Sequence, residues 1–250
     1  FTSAGTASSY PKIEISHIHF EAMETRLYDG DKGSDYGFFN GVRFDNCDPW
    51  LHHCKFQYFS GRTLAIYHKQ DYATGVVSDN EFIDNVALQS DGTYSNGYAI
   101  VLGASSEPTS WVSIAPGTDN FVYIEDNYYR RCRLAAISAL GGLFVFRYNF
   151  VELGISNTGK IDMHGARPDW GWDYPYSARF AEIYENTFIA LPEDDPMYKA
   201  YPPYRQKGPL SLKGGESIVH NNIFKNYPDY SISLRITDAW YYSSDAPSDY

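Results

Sequence analysis

The stretch Ile183-Tyr184-Glu185-Asn186-Thr187-Phe188 decides the fold, because its pattern returns seven times along the chain. In each copy an aliphatic residue stands first, and Phe or Tyr stands five residues later. The seven pairs are Ile15 and Phe20, Leu51 and Phe56, Val77 and Phe82, Ile124 and Tyr129, Val145 and Phe150, Ile183 and Phe188, and Val219 and Phe224. Repeats this short cannot bury an apolar face alone, so they indicate a stack of supersecondary units.

Each unit is predicted to consist of strands. Ile183 and Tyr184 alternate between the two faces, as neighbouring residues of a strand do. The interval between successive aromatic residues varies from 21 to 47 residues, so a constant turn of coil must carry insertions of variable length. A second strand is predicted after each of six copies, at residues 64–67, 99–102, 135–138, 161–164, 210–213 and 232–235. The chain is therefore predicted to be a solenoid of strands.

Four copies carry an asparagine two residues before the aromatic residue, namely Asn80, Asn127, Asn186 and Asn222, and the fifth copy places Tyr148 there. These Asn-x-aromatic units resemble the right-handed parallel β-helix superfamily, which includes pectate lyases, other polysaccharide lyases, polygalacturonases and many phage tailspikes. The resemblance covers about residues 12–236. It implies an all-β, right-handed parallel β-helix with loop insertions, in which stacked asparagines form a hydrogen-bonded ladder. We expect a single domain over residues 1–250, with a C-terminal tail at 237–250.

The composition favours an extracellular protein that contacts sugars. Aromatic residues make up 17% of the chain and charged residues only 20%, so many rings are expected at the surface. The net charge of −11 argues against a nucleic-acid partner. The longest apolar run, residues 134–146, is too short to span a membrane. We expect an extracellular or secreted location, and this expectation rests on fold and composition alone, without a signal peptide in the sequence.

The cysteines and the two ends of the coil lead to smaller expectations. With three cysteines, at least one thiol stays unpaired. Cys54 and Cys132 are predicted to be buried, and a Cys47–Cys54 disulfide is possible. The open ends of the coil expose strand edges, so self-association through these ends is possible.

Stacking the second strands predicts a charged cluster. The alignment places inward the residues Ile66, Leu102, Ile137, Met163, Leu212 and Leu234. One outward row then contains Tyr67, Val101, Ser138, His164, Lys213 and Arg235, and its neighbour contains Ala65, Ala99, Ala136, Asp162, Ser211 and Ser233. Four charged or titratable side chains, Asp162, His164, Lys213 and Arg235, are thus predicted to meet on adjacent turns about 4.8 Å apart.

Two insertions rich in Trp, Tyr and Pro flank these strands, one between His164 and Phe188 and one between Phe188 and Lys213, and are expected to wall the cluster. Their candidate substrate-binding residues are Arg167, Trp170, Trp172, Tyr174, Tyr176, Tyr204 and Arg205. Long loops on a rigid scaffold are commonly functional, and aromatic faces pack against the apolar faces of sugar rings. Arg179 stands at the entry of the next unit.

A lyase that cleaves uronic-acid glycans by β-elimination needs a cation for the carboxylate, a base for the proton α to it, and an acid for the leaving oxygen. Arg235 or Arg179 could clamp the carboxylate. His164 or Lys213 could take the proton, and Asp162 could orient His164 or join a metal site.

Two points limit the enzymatic prediction. A hydrolase needs two placed carboxylates, and the sequence around residue 162 does not provide the second. Calcium is a possible cofactor, yet no bidentate Glu follows the acidic stretch 29–35 at the spacing of a calcium loop. The alternative is a non-catalytic structural, adhesive or receptor-binding β-helix that binds glycans, like a fibre or tailspike module.

Overall fold

The computed structural model describes residues 10–22, 40–68, 74–85, 97–104, 120–138, 142–152, 161–163, 179–192, 194, 208–227 and 231–234. Within these ranges the chain forms twenty-one strands, numbered β1 to β21 in chain order, and no helix. The same ranges accordingly hold no helix with the length and apolar character needed to cross a membrane.

The strands form three parallel sheets of seven strands each. Sheet A contains β1 (Lys12–Ser16), β4 (Asp48–His52), β7 (Gly75–Ser78), β10 (Val122–Glu125), β13 (Leu143–Arg147), β16 (Phe180–Tyr184) and β19 (Glu216–His220). Sheet B contains β2 (His19–Glu21), β5 (Lys55–Gln57), β8 (Glu81–Ile83), β11 (Tyr128–Arg130), β14 (Phe150–Glu152), β17 (Thr187–Ile189) and β20 (Ile223–Lys225). Sheet C contains β3 (Val42–Asp45), β6 (Arg62–His68), β9 (Tyr98–Ala104), β12 (Leu134–Ser138), β15 (Ile161–Met163), β18 (Leu210–Leu212) and β21 (Ile232–Leu234).

Each turn of the coil contributes one strand to each sheet, because neighbours within a sheet are three strands apart in the chain. The pairs within each sheet are parallel. The predicted right-handed parallel β-helix with loop insertions is therefore confirmed.

A two-residue bend joins sheet A to sheet B in every turn that the structure describes. The first residue of the bend has a positive φ of 52° to 58°, a conformation that Asn and Asp tolerate better than most residues. These residues are His17, His53, Asp79, Asp126, Tyr148, Glu185 and Asn221. Because every bend has the same length, each strand of sheet B starts at the same point relative to the preceding strand of sheet A. The pairing register is therefore linked between the two sheets.

The second residue of the bend forms the asparagine ladder. Nδ2 of Asn80 donates to Oδ1 of Asn127 at 3.0 Å, and Asn127 donates in the same way to Asn149 at 3.1 Å. Asn149 donates to Asn186 at 3.1 Å, and Asn186 donates to Asn222 at 2.9 Å. Each Oδ1 also accepts the backbone N–H of the preceding ladder residue. The ladder amides and the backbone N–H groups beside them are thus satisfied, which is the condition for burying them.

The fifth repeat is displaced by one residue from the sequence prediction. Asn149, and not Tyr148, enters the ladder, while Tyr148 is 46% exposed. Phe146 therefore replaces Val145 in the row of Ile124 and Ile183.

Val151 accordingly takes the aromatic position in the fifth turn, and Phe150 is 40% exposed. Elsewhere this row is a stack of rings, with Phe56 and Phe82 centroids 5.1 Å apart. The ring of Phe146 lies 5.8 Å from Tyr129 and 6.2 Å from Phe188, so it fills the space that the smaller valine leaves. A large residue in one row and a small one in the next preserve the volume of the core.

The three cysteines are buried as thiols, so the possible Cys47–Cys54 disulfide is not formed. The predicted burial of Cys54 and Cys132 is confirmed. Burial raises the pKa of the Cys132 thiol to about 12.

Candidate functional site

The connections between strands vary most in length beside sheet C. Every connection from sheet A to sheet B is a two-residue bend, whereas residues 164–179 separate β15 from β16 and residues 190–209 separate β17 from β18. Both long segments adjoin a strand of sheet C. Insertions on a regular scaffold concentrate where binding residues are recruited, so the outer face of sheet C is the candidate functional surface.

The register of sheet C corrects the predicted outward rows on two strands, β9 and β12. Asp162 pairs with Ser211, which pairs with Ser233, as predicted. In the other direction, Asp162 pairs with Ile137, which pairs with Val101. Ala136 and Ala99 therefore do not belong to the row of Asp162, and both are fully buried. Ser138, and not Ile137, occupies the row of Leu102 and Met163.

Ala135, Ala136 and Ile137 form an apolar run, which explains the error. Alternation cannot show which of three consecutive apolar residues faces the core, and a slip of one residue exchanges the faces of the strand.

Asp162 and Lys213 meet, as the sequence predicts. Ile161 and Met163 belong to the core, so Asp162 lies on the outer face of sheet C. The Nζ atom of Lys213 lies 3.0 Å from each carboxylate oxygen of Asp162. The lysine and aspartate side chains are only 9% and 4% exposed. This is a buried ion pair that joins β15 to the residue after β18.

The ion pair with Asp162 restricts the chemical role that Lys213 can have in this structure. A lysine that neutralises a buried aspartate is the cation of that pair, so it cannot also be a free amine that accepts a proton. The Asp162 carboxylate is likewise bound by Lys213, and this contact fixes its orientation. The proton-accepting role assigned to Lys213 would require the pair to separate and stays a prediction.

The other predicted site residues divide into two groups. Arg179 immediately precedes β16, where its backbone N–H donates to the carbonyl of Gly142 and its carbonyl accepts from Glu216. It thus lies at the entrance to sheet A, one corner away from sheet C. The remaining predicted residues lie outside the described residues: His164, Arg167, Trp170, Trp172, Tyr174, Tyr176, Tyr204, Arg205 and Arg235.

An arginine–tyrosine cluster, formed by Arg43, Asp45, Arg62 and Tyr67, lies at the other end of the same face. The Arg43 guanidinium is 5.0 Å from the centre of the Tyr67 ring and binds both oxygens of Asp45, at 2.6 and 2.9 Å. Arg62 lies 6.0 Å from the same ring centre and donates to the Tyr67 hydroxyl at 2.7 Å. Burial raises the pKa of Tyr67, and the two arginines oppose that rise.

A second pair extends this surface by one strand. Arg133 lies 5.3 Å from the ring centre of Tyr98 and donates to its hydroxyl at 3.4 Å. Both tyrosine rings pack on an apolar patch of sheet C that includes Val101 and Leu134. The Arg43 side chain is 60% exposed, and its guanidinium lies over the Tyr67 ring while binding the Asp45 carboxylate, so a ligand would share it with Asp45.

No local pattern in the sequence predicted the arginine–tyrosine cluster. Arg43 and Tyr67 meet because Asp45 pairs with Tyr67 and Arg43 with Ala65, across β3 and β6. The segment before β3 does not repeat the motif, so this register could not be derived from the sequence pattern.

A histidine cluster on the first turns does not form a metal centre. Nδ1 of His52 lies 2.8 Å from Nδ1 of His53, and Nε2 of His52 lies 3.2 Å from Glu14 Oε1. Both ring nitrogens of His52 are therefore engaged. In the part of the chain that the structure describes, no group of three or more His, Cys, Asp or Glu residues could hold a metal ion. The acidic stretch 29–35 lies outside that part, and calcium binding stays a prediction.

Comparison with protein-family models, with curated proteins and with solved structures found no match. The type of ligand must therefore be inferred from the residues of the surface itself. That surface offers the exposed side chains of Arg43 and Arg62 and the half-buried Tyr98 on a rigid sheet, while Tyr67 is buried beneath the arginines. Such groups bind carboxylates and the faces of sugar rings.

Proposed function

We propose that this chain is an extracellular, carbohydrate-directed β-helix that binds an acidic polysaccharide along the outer face of sheet C. The observation that carries the proposal is the arginine–tyrosine cluster with its extension at Arg133 and Tyr98. Three arginines stand over two tyrosine rings on one face with one carboxylate, Asp45, among them, so this cluster keeps an excess of positive charge although the whole chain has a net charge of −11. Positive groups held on one face of an acidic protein select a negatively charged ligand.

Uronic-acid chains suit this surface better than other anions. Each sugar presents a carboxylate that an arginine fork can bind and an apolar ring face that a tyrosine can cover. Neighbouring strands lie about 4.8 Å apart, so the side chains of successive turns form a line along which an extended chain can lie. Nucleic acid also carries regularly spaced anions, but the acidic remainder of the molecule disfavours it.

The reaction we propose for the surface is β-elimination, as in the pectate-lyase-like proteins that the sequence resembles. A base removes the proton α to the uronate carboxylate, a double bond forms within the ring, and the glycosidic oxygen leaves with a proton from an acid. His164 directly follows β15 and is our candidate for the base. Arg235 and Arg179 are the candidates for binding the carboxylate, and the Asp162–Lys213 pair would orient this end of the surface.

The reaction is tested by ultraviolet absorbance, because the unsaturated product absorbs and the substrate does not. Polygalacturonate, alginate and a glucuronan are incubated with the protein, with and without calcium, alongside His164→Ala. Rising absorbance that His164→Ala abolishes supports the lyase. A rise that survives in His164→Ala removes that histidine from the mechanism.

Non-catalytic glycan binding is the second candidate, and the burial of the Asp162–Lys213 pair favours it. A lysine only 9% exposed and bound to a carboxylate is better suited to holding two strands together than to chemistry. If no substrate yields an unsaturated product while acidic polysaccharides still bind, the chain is a structural, adhesive or receptor-binding β-helix.

A further inference from the structure

We propose that the outer face of sheet A carries a separate binding site for a neutral glycan. The site is a platform formed by Tyr123, Arg147, Tyr148, Tyr184 and His220. It lies on a different face of the coil from the arginine–tyrosine cluster, and it takes a different class of ligand. The proposal therefore does not depend on the function proposed for sheet C.

The platform is continuous over four neighbouring strands. Arg147, Tyr184 and His220 occupy one outward row on β13, β16 and β19. The rings of Tyr184 and His220 are stacked with centroids 4.8 Å apart, and Tyr148 meets Tyr184 edge to face at 6.1 Å. With Tyr123 on β10, the platform covers three strand spacings, about 14 Å. That length accommodates a short oligosaccharide.

Arg147 holds the rings in place. Its guanidinium lies 5.1 Å from the ring centre of Tyr123 and 5.4 Å from that of Tyr148, and it donates to the Tyr184 hydroxyl at 2.9 Å. Although burial acts in the opposite direction, hydrogen bonds to Tyr184 and Glu125 raise the pKa of Arg147 above its ordinary value. Arg147 is therefore always charged, and the three tyrosines around it are fixed relative to one another.

The base of the platform is apolar and buried. Tyr123 and Tyr184 pack against an outer-face cluster of four residues: Phe121, Leu143, Val145 and Phe180. Aromatic side chains held by a packed base lose little conformational freedom when they bind a ligand. A rigid platform is what stacking against a sugar ring requires.

Tyr148 occupies a position where a tyrosine is not needed for the fold. Its φ is 58°, and the residues at the same point of the other bends are His, Asp, Glu or Asn. A left-handed conformation suits Asn and Asp better than an aromatic residue. Tyr148 is also 46% exposed, so the core does not explain it. A strained, exposed residue that completes an aromatic surface points to a binding role.

The charges around the platform select a neutral ligand. Glu125 binds Arg147 at 2.6 Å and neutralises it. The carboxylate of Glu185 raises the pKa of Tyr148, which places negative charge beside the ring. Asp126 lies in the adjacent bend, where burial together with Asp79 and Glu125 raises its pKa. A polyuronate would meet net repulsion at this surface, whereas a neutral sugar offers ring faces and hydroxyls without that penalty.

The test is affinity gel electrophoresis of the whole chain in gels that contain a soluble glucan, a soluble xylan or polygalacturonate. The variant is Tyr148→Asn, since Asn fits the positive φ and is expected to leave the melting temperature unchanged or higher. The matched control is Tyr58→Asn, because Tyr58 also has a positive φ, of 66°, and lies in a different bend. We expect a neutral glycan to retard the wild-type chain and Tyr58→Asn equally, and Tyr148→Asn to lose at least fivefold in affinity.

Three results would overturn the neutral-glycan platform. They are no retardation of the wild-type chain by either neutral glycan, unchanged affinity in Tyr148→Asn, and an equal loss in Tyr58→Asn. Retardation by polygalacturonate that Tyr148→Asn abolishes would overturn the charge argument. If polygalacturonate binds and Tyr148→Asn does not change that binding, the result concerns the site on sheet C alone. The two proposed sites are therefore tested independently.

Discussion

Replacing Asn149 by leucine removes the centre of the asparagine ladder without leaving a large cavity. The Asn149 amide donates to the carbonyls of Ile124 at 2.9 Å and Arg147 at 2.8 Å, and to Asn186 at 3.1 Å. Its Oδ1 accepts the backbone N–H of Asn127 at 3.0 Å. In Asn149→Leu these groups lose a partner in the interior of the coil, where water does not replace it.

The magnitude follows from these contacts. A buried donor left without an acceptor costs roughly 1–3 kcal/mol, and each further lost hydrogen bond about 1 kcal/mol. With the Asn127 N–H orphaned and two carbonyls deprived of a bond, we expect Asn149→Leu to lower the free energy of unfolding by roughly 3–5 kcal/mol. At the end of the ladder Asn222 is only partly buried. Since water can reach its partners, Asn222→Leu should cost about 1 kcal/mol.

The assay is urea unfolding followed by far-ultraviolet circular dichroism, with both variants and the wild type measured side by side. Asn149→Leu should unfold at a clearly lower urea concentration than Asn222→Leu. Equal stability of Asn149→Leu and the wild type would refute the ladder. It would instead support the register in which Tyr148 points inward and Asn149 faces solvent.

Three further predictions concern the core and the buried charges. Lys213→Met should lower the free energy of unfolding by about 3–5 kcal/mol because it leaves Asp162 buried without its cation, and adding Asp162→Asn should recover part of that loss in the same urea assay. Val151→Phe should destabilise by about 1–3 kcal/mol through overpacking against Phe146, and the double change Val151→Phe, Phe146→Val should melt closer to the wild type in calorimetry. The pKa of Cys132 rises from 9.0 to about 12 on burial, so the unfolded thiol ionises first. Stability should therefore fall as the pH rises from 9.0 towards about 12, and Cys132→Val should flatten that decline in urea titrations across this range.

The fold could be predicted because its signal is local and repeated. In six of the seven copies the aliphatic and aromatic residues face the core as predicted, since each lies a fixed distance from a two-residue bend. The prediction failed for the fifth copy, on β13, because residues 143–146 are all buried. Leu143 and Val145 pack on the outer face of sheet A, so the alternation that reveals an inward face is absent.

The candidate site could be predicted only where neighbouring strands carry opposite charges on the same face, two residues apart in register. Asp162 and Lys213 were found in this way, because both lie at strands whose apolar residues fix the inward face. The contact of Arg43 with Tyr67 depends on the pairing of β3 with β6, and the repeated pattern did not predict β3, so the sequence does not state that register. The strain at Tyr148 likewise became visible only when Asn149 was placed in the ladder.

The central claim, that sheet C binds an acidic polysaccharide, is tested most directly by isothermal titration with oligogalacturonate at two salt concentrations. The double variant Arg43→Gln, Arg62→Gln is compared with Lys225→Gln, which removes one exposed positive charge from sheet B. The account predicts that the wild type and Lys225→Gln bind equally, with affinity that falls as salt rises, and that the double variant loses at least tenfold. Equal affinity of the double variant and the wild type would contradict the account.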